Sequence, residues 1–464
     1  MTAPAFAPSA FDLVISGQDH AALAAHLFPG DGMEAAAVLL CRHVLPARRK
    51  LMVVEVRLVA HDQCQRRADA LVWPGQALSA AVDAAEDEGM SIILAHSHPG
   101  GWLGFSQVDD QSDAATMAAL FGGWSGPLPV AGHGSAVMTP DGRLIARLYG
   151  PDLSPTPVGL VAVAGDDLSF WAHGEEAGRP MAFSTDMTRT LGRLRACVIG
   201  VSGTGSIIAE QAARLGFGAL ILIDFDQVEA KNLNRILNST IVDAEGGRLK
   251  VEMFADAVRR YRADLDVLAL PLGIATREAV LAAAGADVLF SCVDTAEGRQ
   301  IADLIAQAFM IPLFDMGVSI PTRRGADGQA VVAEVSGRLD YVQPGGATLG
   351  DRGVYTPAML RAEYLARVAP ETFAAEREAG YIKGAPDQAP SVIALNMRAA
   401  SAAMLEFIAR AFPFRHQPNR LKARTIFALA DGDEDFYSED DFTASSQPGV
   451  GAVEPLLGLP ALGA

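Results

Sequence analysis

Arg195-Ala-Cys-Val-Ile-Gly200-Val-Ser-Gly-Thr-Gly205-Ser-Ile-Ile decides the fold of the larger part of the chain. Five residues of buried-strand character run into a glycine-rich turn, and an apolar-patterned helix continues to Leu215. A turn of the form GxGxxG brings backbone amides and a helix N-terminus up to a phosphate without side chains in the way. By itself the motif is weak, and a nucleotide-dependent dehydrogenase carries it as readily as anything else. The next strand ends Ile223-Asp224-Phe225-Asp226, which offers a carboxylate to ribose hydroxyls at the usual distance. Strand, Gly-rich turn, helix and strand then recur over residues 193–412, which predicts an α/β architecture with a doubly wound parallel sheet.

The residues beyond Asp226 are not dehydrogenase-like: Val228-Glu-Ala-Lys-Asn232-Leu-Asn234-Arg235, then Lys250, and later Asp287-Val-Leu-Phe-Ser-Cys-Val293-Asp294-Thr295 with Arg299 nearby. This series resembles the ThiF/MoeB/E1 family, whose members adenylate the C-terminal glycine of ubiquitin-like or sulfur-carrier proteins. The resemblance covers roughly residues 183–412, including Ala385-Pro-Asp-Gln-Ala-Pro390 and the residues after it. It implies that Gly200, Ser202, Gly203, Gly205, Asp224, Asp226 and Asn232 bind the nucleotide. Arg235 and Lys250 would then neutralise ATP phosphates, Asp294 would hold Mg²⁺, and Arg179 would reach across a homodimer.

Two departures stand out. Ser202 replaces a glycine of the loop. The family's Cys-rich stretch aligns with Pro344-Gly-Gly-Ala-Thr348-Leu-Gly-Asp351, so Thr348 stands at the usual E1 cysteine. Cys197 and Cys292 fall in strands expected to be buried and do not compensate. Either the acyl-adenylate passes directly to an acceptor, or Thr348 accepts the acyl group as an oxyester. A hydroxyl is much the poorer nucleophile without a base.

Upstream, Ser91-Ile-Ile-Leu-Ala95 reads as a buried strand delivering His96-Ser97-His98, whose imidazoles share one side because strand side chains alternate. Seven residues later come Ser106-Gln-Val-Asp109. Two His and one Asp make a three-ligand zinc site with a position left for water, which the metal acidifies. The spacing resembles the JAMM motif of the JAB/MPN metalloprotease family. That resemblance implies an α+β domain, Glu34 as general base and Ser106 as an aid to the oxyanion. Glu55 is the rival for Glu34, placed mid-strand. The remaining histidines (His20, His26, His43, His61, His133, His173 and His416) fit no such pattern and are expected to be structural or exposed.

The expected organisation is a JAB/MPN zinc peptidase domain over residues 10–150, a Pro-rich linker over 151–182, an adenylation domain over 183–430, and an acidic, disordered tail over 431–464. A net charge of −18 with only five lysines argues against a nucleic-acid partner. No apolar stretch reaches the roughly 20 residues of a membrane span. Residues 1–10 lack the basic and apolar regions of a secretory signal, and the four scattered cysteines form no disulfide framework, so a cytoplasmic location is expected.

Together the two resemblances imply an enzyme that trims or removes a ubiquitin-like protein at its C-terminal glycine and adenylates that glycine with MgATP, with an E2-like protein among the candidate partners. Processing of a sulfur carrier for cofactor or amino-acid biosynthesis is the alternative, and a scaffold with dead sites a third reading.

Overall fold

The computed structural model describes residues 11–44, 49–174, 180–324, 329–378, 392–445, 449–452 and 457–459, and the chain divides into two units. The first contains β1 (Asp12–Ser16), α1 (Gly17–Leu27), β2 (Ala36–Val44), β3 (Lys50–Leu58), β4 (Gln65–Arg66), β5 (Leu71–Val72), α2 (Gly75–Glu86), β6 (Ser91–Ser97), α3 (Gln107–Gly123), β7 (His133–Met138), β8 (Leu144–Tyr149), β9 (Pro155–Pro157), β10 (Leu160–Ala164) and β11 (Leu168–Ala172). Nine of these strands form one sheet in the order β11-β10-β1-β3-β2-β6-β7-β8-β9.

The unbroken apolar runs of β2 and β6 follow from burial on both faces. Ala37, Leu39, Cys41, Ile93 and Ala95 pack into the core that also takes Leu23 and Leu27 of α1. Val38, Leu40, Ile92 and Leu94 face the other way, against Ala81 and Ala85 of α2 and Met117 and Leu120 of α3. β2 and β6 run antiparallel with Ala36 opposite His96, so the mouth of both strands carries the chemistry.

The structure corrects the expectation of a linker over 151–182. Within that stretch β9, β10 and β11 belong to the same sheet, and β10 pairs in parallel with the first strand of the chain. Two of the three prolines that signal a linker, Pro155 and Pro157, sit in β9, an edge strand, where a missing N–H costs no ladder bond. Leu160-Val-Ala-Val-Ala164 is buried throughout.

The second unit contains α4 (Thr185–Leu191), β12 (Arg195–Ile199), α5 (Gly203–Leu215), β13 (Ala219–Ile223), α6 (Ile241–Glu245), α7 (Lys250–Arg259), β14 (Asp266–Leu270), α8 (Arg277–Ala284), β15 (Val288–Ser291), α9 (Ala296–Ala308), β16 (Leu313–Ser319), β17 (Thr322–Arg324), β18 (Ala330–Val332), β19 (Ser336–Val342), α10 (Pro357–Val368), α11 (Pro370–Glu378), α12 (Ile393–Ala411), β20 (Arg424–Ala428) and β21 (Asp433–Tyr437). Its main sheet has the order β14-β13-β12-β15-β16-β19-β20-β21. The first five strands are parallel, with the order reversing between β12 and β15, where such sheets open a crevice for ligands. From β19 onward the pairing is antiparallel, so the doubly wound pattern does not extend over the whole sheet.

The tail also departs from expectation, since residues 433–437 form the edge strand β21. The acidic residues beyond it meet cations instead of water alone. Glu439 takes Arg352 at 2.7 Å and the Ala347 amide at 3.0 Å, and Asp440 takes Arg420. Among the described residues no helix is long and apolar enough to cross a membrane.

Candidate functional site

The first site is assembled at the mouth of β2 and β6. His96 and His98 leave β6 on one side with their Nε2 atoms 3.1 Å apart, and Ser97 between them points the other way. Buried Ser97 accepts the Ala35 amide at 2.9 Å and donates its own amide to the Ala35 carbonyl, tying the residue after Glu34 to the histidine pair. Asp109 sits at 3.2 Å from His96 Nε2 and 3.5 Å from His98 Nε2. The three ligand atoms lie within 4.8 Å of one another.

Asp109 is placed by a capping box at the start of α3. Ser106 Oγ accepts its amide at 3.1 Å, and its carboxylate accepts the Ser106 amide at 2.6 Å. One turn on, Asp113 anchors the helix, taking Tyr149 Oη at 2.9 Å, Arg147 Nη2 at 2.7 Å and the Ser135 hydroxyl. Ser106 is thus first a helix cap, and its hydroxyl proton is not consumed by that bond. Ser106→Ala should cost the cap about 1 kcal/mol. With Zn²⁺ as the probe ion, affinity measured by chelator competition should fall roughly fivefold as Asp109 loosens, by the same amount expressed as an equilibrium constant.

The donor set fits a cation. His98 Nδ1 donates to the Trp102 carbonyl at 2.9 Å, which leaves the Nε2 lone pair free for a metal. The Trp102 ring stacks on His98 with centroids 5.6 Å apart. Burial alone would raise the Asp109 carboxyl, yet hydrogen bonds from His96, His98 and the Ser106 amide hold it far below the usual carboxylate range. His98 shifts up despite the opposing pull of burial, because Asp109 favours its charged form. The cluster favours positive charge at its centre, a demand that a divalent cation such as Zn²⁺ would meet.

Glu34 is 7% exposed and lines a cavity of about 320 Å³ together with His96, Asp109 and Trp73. Its burial raises its carboxyl, with His96 and His98 opposing. Its backbone is clamped by the β4–β5 hairpin: its amide donates to the Arg67 carbonyl at 2.7 Å, and Arg66 Nε donates to its carbonyl at 2.7 Å. Glu55, the rival, is exposed on β3 and paired with Arg57 at 2.7 Å. Among the other histidines His20 bonds the Gly142 carbonyl, His26 that of Ala36 and His61 that of His26, while buried His133 is held near pKa 4 by desolvation.

The second site is a cavity of about 490 Å³ at the β12/β15 switch point, lined by Gly200, Ser202, Gly203, Asp224, Asp226, Asn232, Arg235, Lys250 and Asp294 among others. Gly200 has φ +87°, and a side chain there would meet the Cys292 carbonyl at 2.9 Å. Ser202 has φ −102°, so serine replaces glycine there without strain. Gly205 does not line the cavity; it lets α5 pass under the turn, since a Cβ would lie 1.7 Å from the Gly200 carbonyl oxygen.

Asp224 accepts the Val201 amide at 2.7 Å and the Asp226 amide at 2.8 Å, and burial raises its carboxyl while Lys250 opposes. Lys250, 4% exposed, pairs with Asp226 at 2.6 Å. Asn232 is buried and accepts the Glu229 amide at 3.0 Å, which shapes the turn that presents Lys231 and Arg235. Asn396, from α12, also lines the cavity and was not anticipated; a side chain at Gly203 would meet its Nδ2 at 2.2 Å.

Cys292 sits outside the strand expected to hold it, and Thr348 stands apart from the cavity lining. Cys292 lies just past β15 and lines the cavity instead of sitting in the strand, and burial pushes its thiol up, as it does that of Cys197. Thr348 is absent from the cavity lining and forms a closed turn, its hydroxyl donating to Asp351 at 2.9 Å and accepting the Asp351 amide at 3.0 Å. Arg179 and residues 385–390 lie outside the described residues.

Comparison with known proteins agrees with the two-part division. Residues 177–352 match the ThiF family, and residues 18–145 match the prokaryotic homologs of the JAB domain. The ubiquitin-like modifier-activating enzyme 5 of Culex quinquefasciatus is 29% identical over 160 residues, 32% of this chain and 36% of that protein. Its Caenorhabditis elegans counterpart is 30% identical over 159 residues, 32% of this chain and 34% of that one. The chain thus spans about a third of the length of the curated relatives it matches. Among solved structures, E. coli MccB with ATP covers 57% of this chain and 69% of its own at 15% identity and a TM-score of 0.43. The microcin C7 biosynthetic enzyme MccB with N-formylated MccA covers 58% and 70%, also at 15% identity and a TM-score of 0.43. This chain joins a domain of the prokaryotic JAB-homolog family, at residues 18–145, to a ThiF-family domain at residues 177–352.

Proposed function

We propose that the chain is a bifunctional enzyme that hydrolyses amide bonds at the C-terminal glycine of a ubiquitin-like protein and adenylates that glycine with ATP. The observation that carries the reading is the His96–His98–Asp109 cluster with buried Glu34 in the adjoining cavity, in one chain with a ThiF-family cavity. Both chemistries address the same flexible tail.

In the first domain His96, His98 and Asp109 would hold zinc. A zinc ion held there acidifies water and polarises the scissile carbonyl. Glu34, whose burial favours its protonated form, takes a proton from the attacking water and returns it to the leaving amine. The Ser106 hydroxyl, with its proton unspent by the cap, donates to the developing oxyanion.

In the second domain the Gly200–Gly205 turn and the amides at the start of α5 receive phosphate, Asp224 and Asp226 the ribose, and Arg235 and Lys250 the phosphate charge. Asp294 would hold Mg²⁺, which when bound would offset the phosphate charge. Thr348 is not an acyl acceptor in this reading. Its hydroxyl is engaged by Asp351 away from the cavity, so the adenylate passes directly to the next acceptor. Homodimerisation through this domain, an E2-like partner and a cytoplasmic setting belong to the same reading. The curated relatives, named as activating enzymes for ubiquitin-like modifiers, favour conjugation over sulfur transfer.

The test is to follow both activities in one preparation with a Gly-terminated ubiquitin-like protein. Pyrophosphate exchange into ATP should depend on that protein, and the intact mass should show no adduct on Thr348. A zinc-selective chelator should abolish cleavage of a C-terminal extension and leave exchange within about twofold, because the Asp294 site prefers magnesium. An acyl adduct on Thr348 would restore the oxyester route.

A further inference from the structure

The cavity of the second domain contains a cation whose hydrogen-bond donors are unspent. Arg299, in the first turn of α9, lines it with a side chain only 14% exposed. Its Nε is buried without a hydrogen bond, 3.5 Å from Asp315 Oδ1, and neither terminal nitrogen bonds to another described residue. A guanidinium has five donors in a rigid fork; the buried Nε is costly to leave unmet, and the unbonded terminal nitrogens remain available to an acceptor that a ligand supplies.

The surroundings offset this charge only in part, through the ion pair with Asp315, which Arg299 shares with Arg338. Asp315 is fully buried, and its two oxygens are already used: one accepts Ser291 Oγ at 2.7 Å, the other Arg338 Nη2 at 2.6 Å. The next carboxylate, Asp340, is shared by Arg338, Arg352 and Arg424. Gly317 on β16 stands opposite Arg338. A Cβ there would lie 3.3 Å from Arg338 Nη2 and 3.4 Å from Arg299 Nη2, so the absent side chain leaves both guanidinium groups room at the cavity wall.

Position separates this pole from the nucleotide pole. The phosphate turn follows β12, and Asp224 and Asp226 follow β13, on one side of the switch point. Arg299 and Gly317 belong to α9 and β16, on the other. With Arg235 and Lys250 already assigned to phosphate, the anion left for Arg299 is that of the second substrate.

We propose that Arg299 binds the C-terminal carboxylate of the protein being activated, a role that rests on the adenylation reading above. Arg299 donates to the carboxylate oxygen that does not attack. The other oxygen forms the bond to the α-phosphorus, the bond from that phosphorus to pyrophosphate breaks, and pyrophosphate leaves with the electron pair. The oxygen on Arg299 becomes the carbonyl oxygen of the acyl-adenylate, and no proton moves.

Two probes titrated calorimetrically into the full chain test this: AMP, and the acetylglycyl sulfamoyl adenosine analogue of the acyl-adenylate. Arg299→Gln should weaken the analogue about 10- to 100-fold, the worth of one charged hydrogen bond, and leave AMP within about twofold. Arg299→Lys, which keeps the charge without the fork, should recover part of the loss. Equal weakening of both probes by Gln and Lys would assign Arg299 to the nucleotide phosphate and overturn the proposal. So would unchanged binding of both, which would make the guanidinium a structural group. Failure of the unaltered protein to bind either probe would instead remove the adenylation reading itself, a result distinct from any effect of the Arg299 variants.

Discussion

Glu34→Gln should lower amide cleavage by about a hundredfold to ten-thousandfold, the range over which a positioned proton shuttle acts, while zinc content and ATP–pyrophosphate exchange stay unchanged. Gln has the shape of Glu but cannot take a proton, so the change isolates the chemistry. The segment should hold its place, because the contacts that fix it are backbone ones: the Glu34 amide to Arg67 O, its carbonyl to Arg66 Nε, and Ala35 to Ser97. Zinc content should stay because the atoms proposed to hold the ion belong to His96, His98 and Asp109. Release of a fluorophore from the C-terminal glycine of a ubiquitin-like protein reads the rate, and zinc per chain reads the site. A cleavage rate within threefold of the unaltered enzyme would remove Glu34 from the proton path. Loss of exchange alongside cleavage would refute the division into two independent sites.

The legible parts of both sites are the short-range ones. His96, His98, Ser106 and Asp109 lie within fourteen consecutive residues, and strand alternation plus a capping box suffice to predict where their side chains go. Glu34 has the sequence context that the resemblance asks for, and Glu55, mid-strand, is its rival. What separates them is the register of β2 against β6, which pairs Ala36 with His96 and leaves Glu55 outside the cavity on β3. Register is a property of two strands and cannot be read from either one.

The misread segments have the same origin. The prolines of residues 151–157 are linker signals only until an edge position is known, and the acidic residues after Asp431 look solvating only until Arg352 and Arg420 are found beside Glu439 and Asp440. Arg299 was visible as an arginine five residues after Asp294. Its unspent donors depend on Asp315, Gly317 and Arg338, which come from two other strands.

Asp294→Ala should lower ATP–pyrophosphate exchange by about a thousandfold, since removing one preorganised electrostatic group from a charge-neutralising site costs a hundred- to thousandfold and Asp294 is the residue proposed to hold the cation. The fold gives Ala a fair test. Asp294 is exposed at the rim of the cavity just beyond β15, so no buried packing is lost. The start of α9 does not depend on it either, because Glu363 accepts the Ala296 and Glu297 amides at 2.7 and 2.9 Å. Cleavage by the first domain should remain within about twofold, the reverse of the Glu34→Gln pattern, and folding stability should change by no more than a surface substitution allows, roughly half a kcal/mol. Raising magnesium should recover part of the exchange if the defect is metal affinity, whereas raising the ubiquitin-like protein should not. Recovery by that protein alone would mean that Asp294 holds the substrate tail and that magnesium is bound by another group in the cavity.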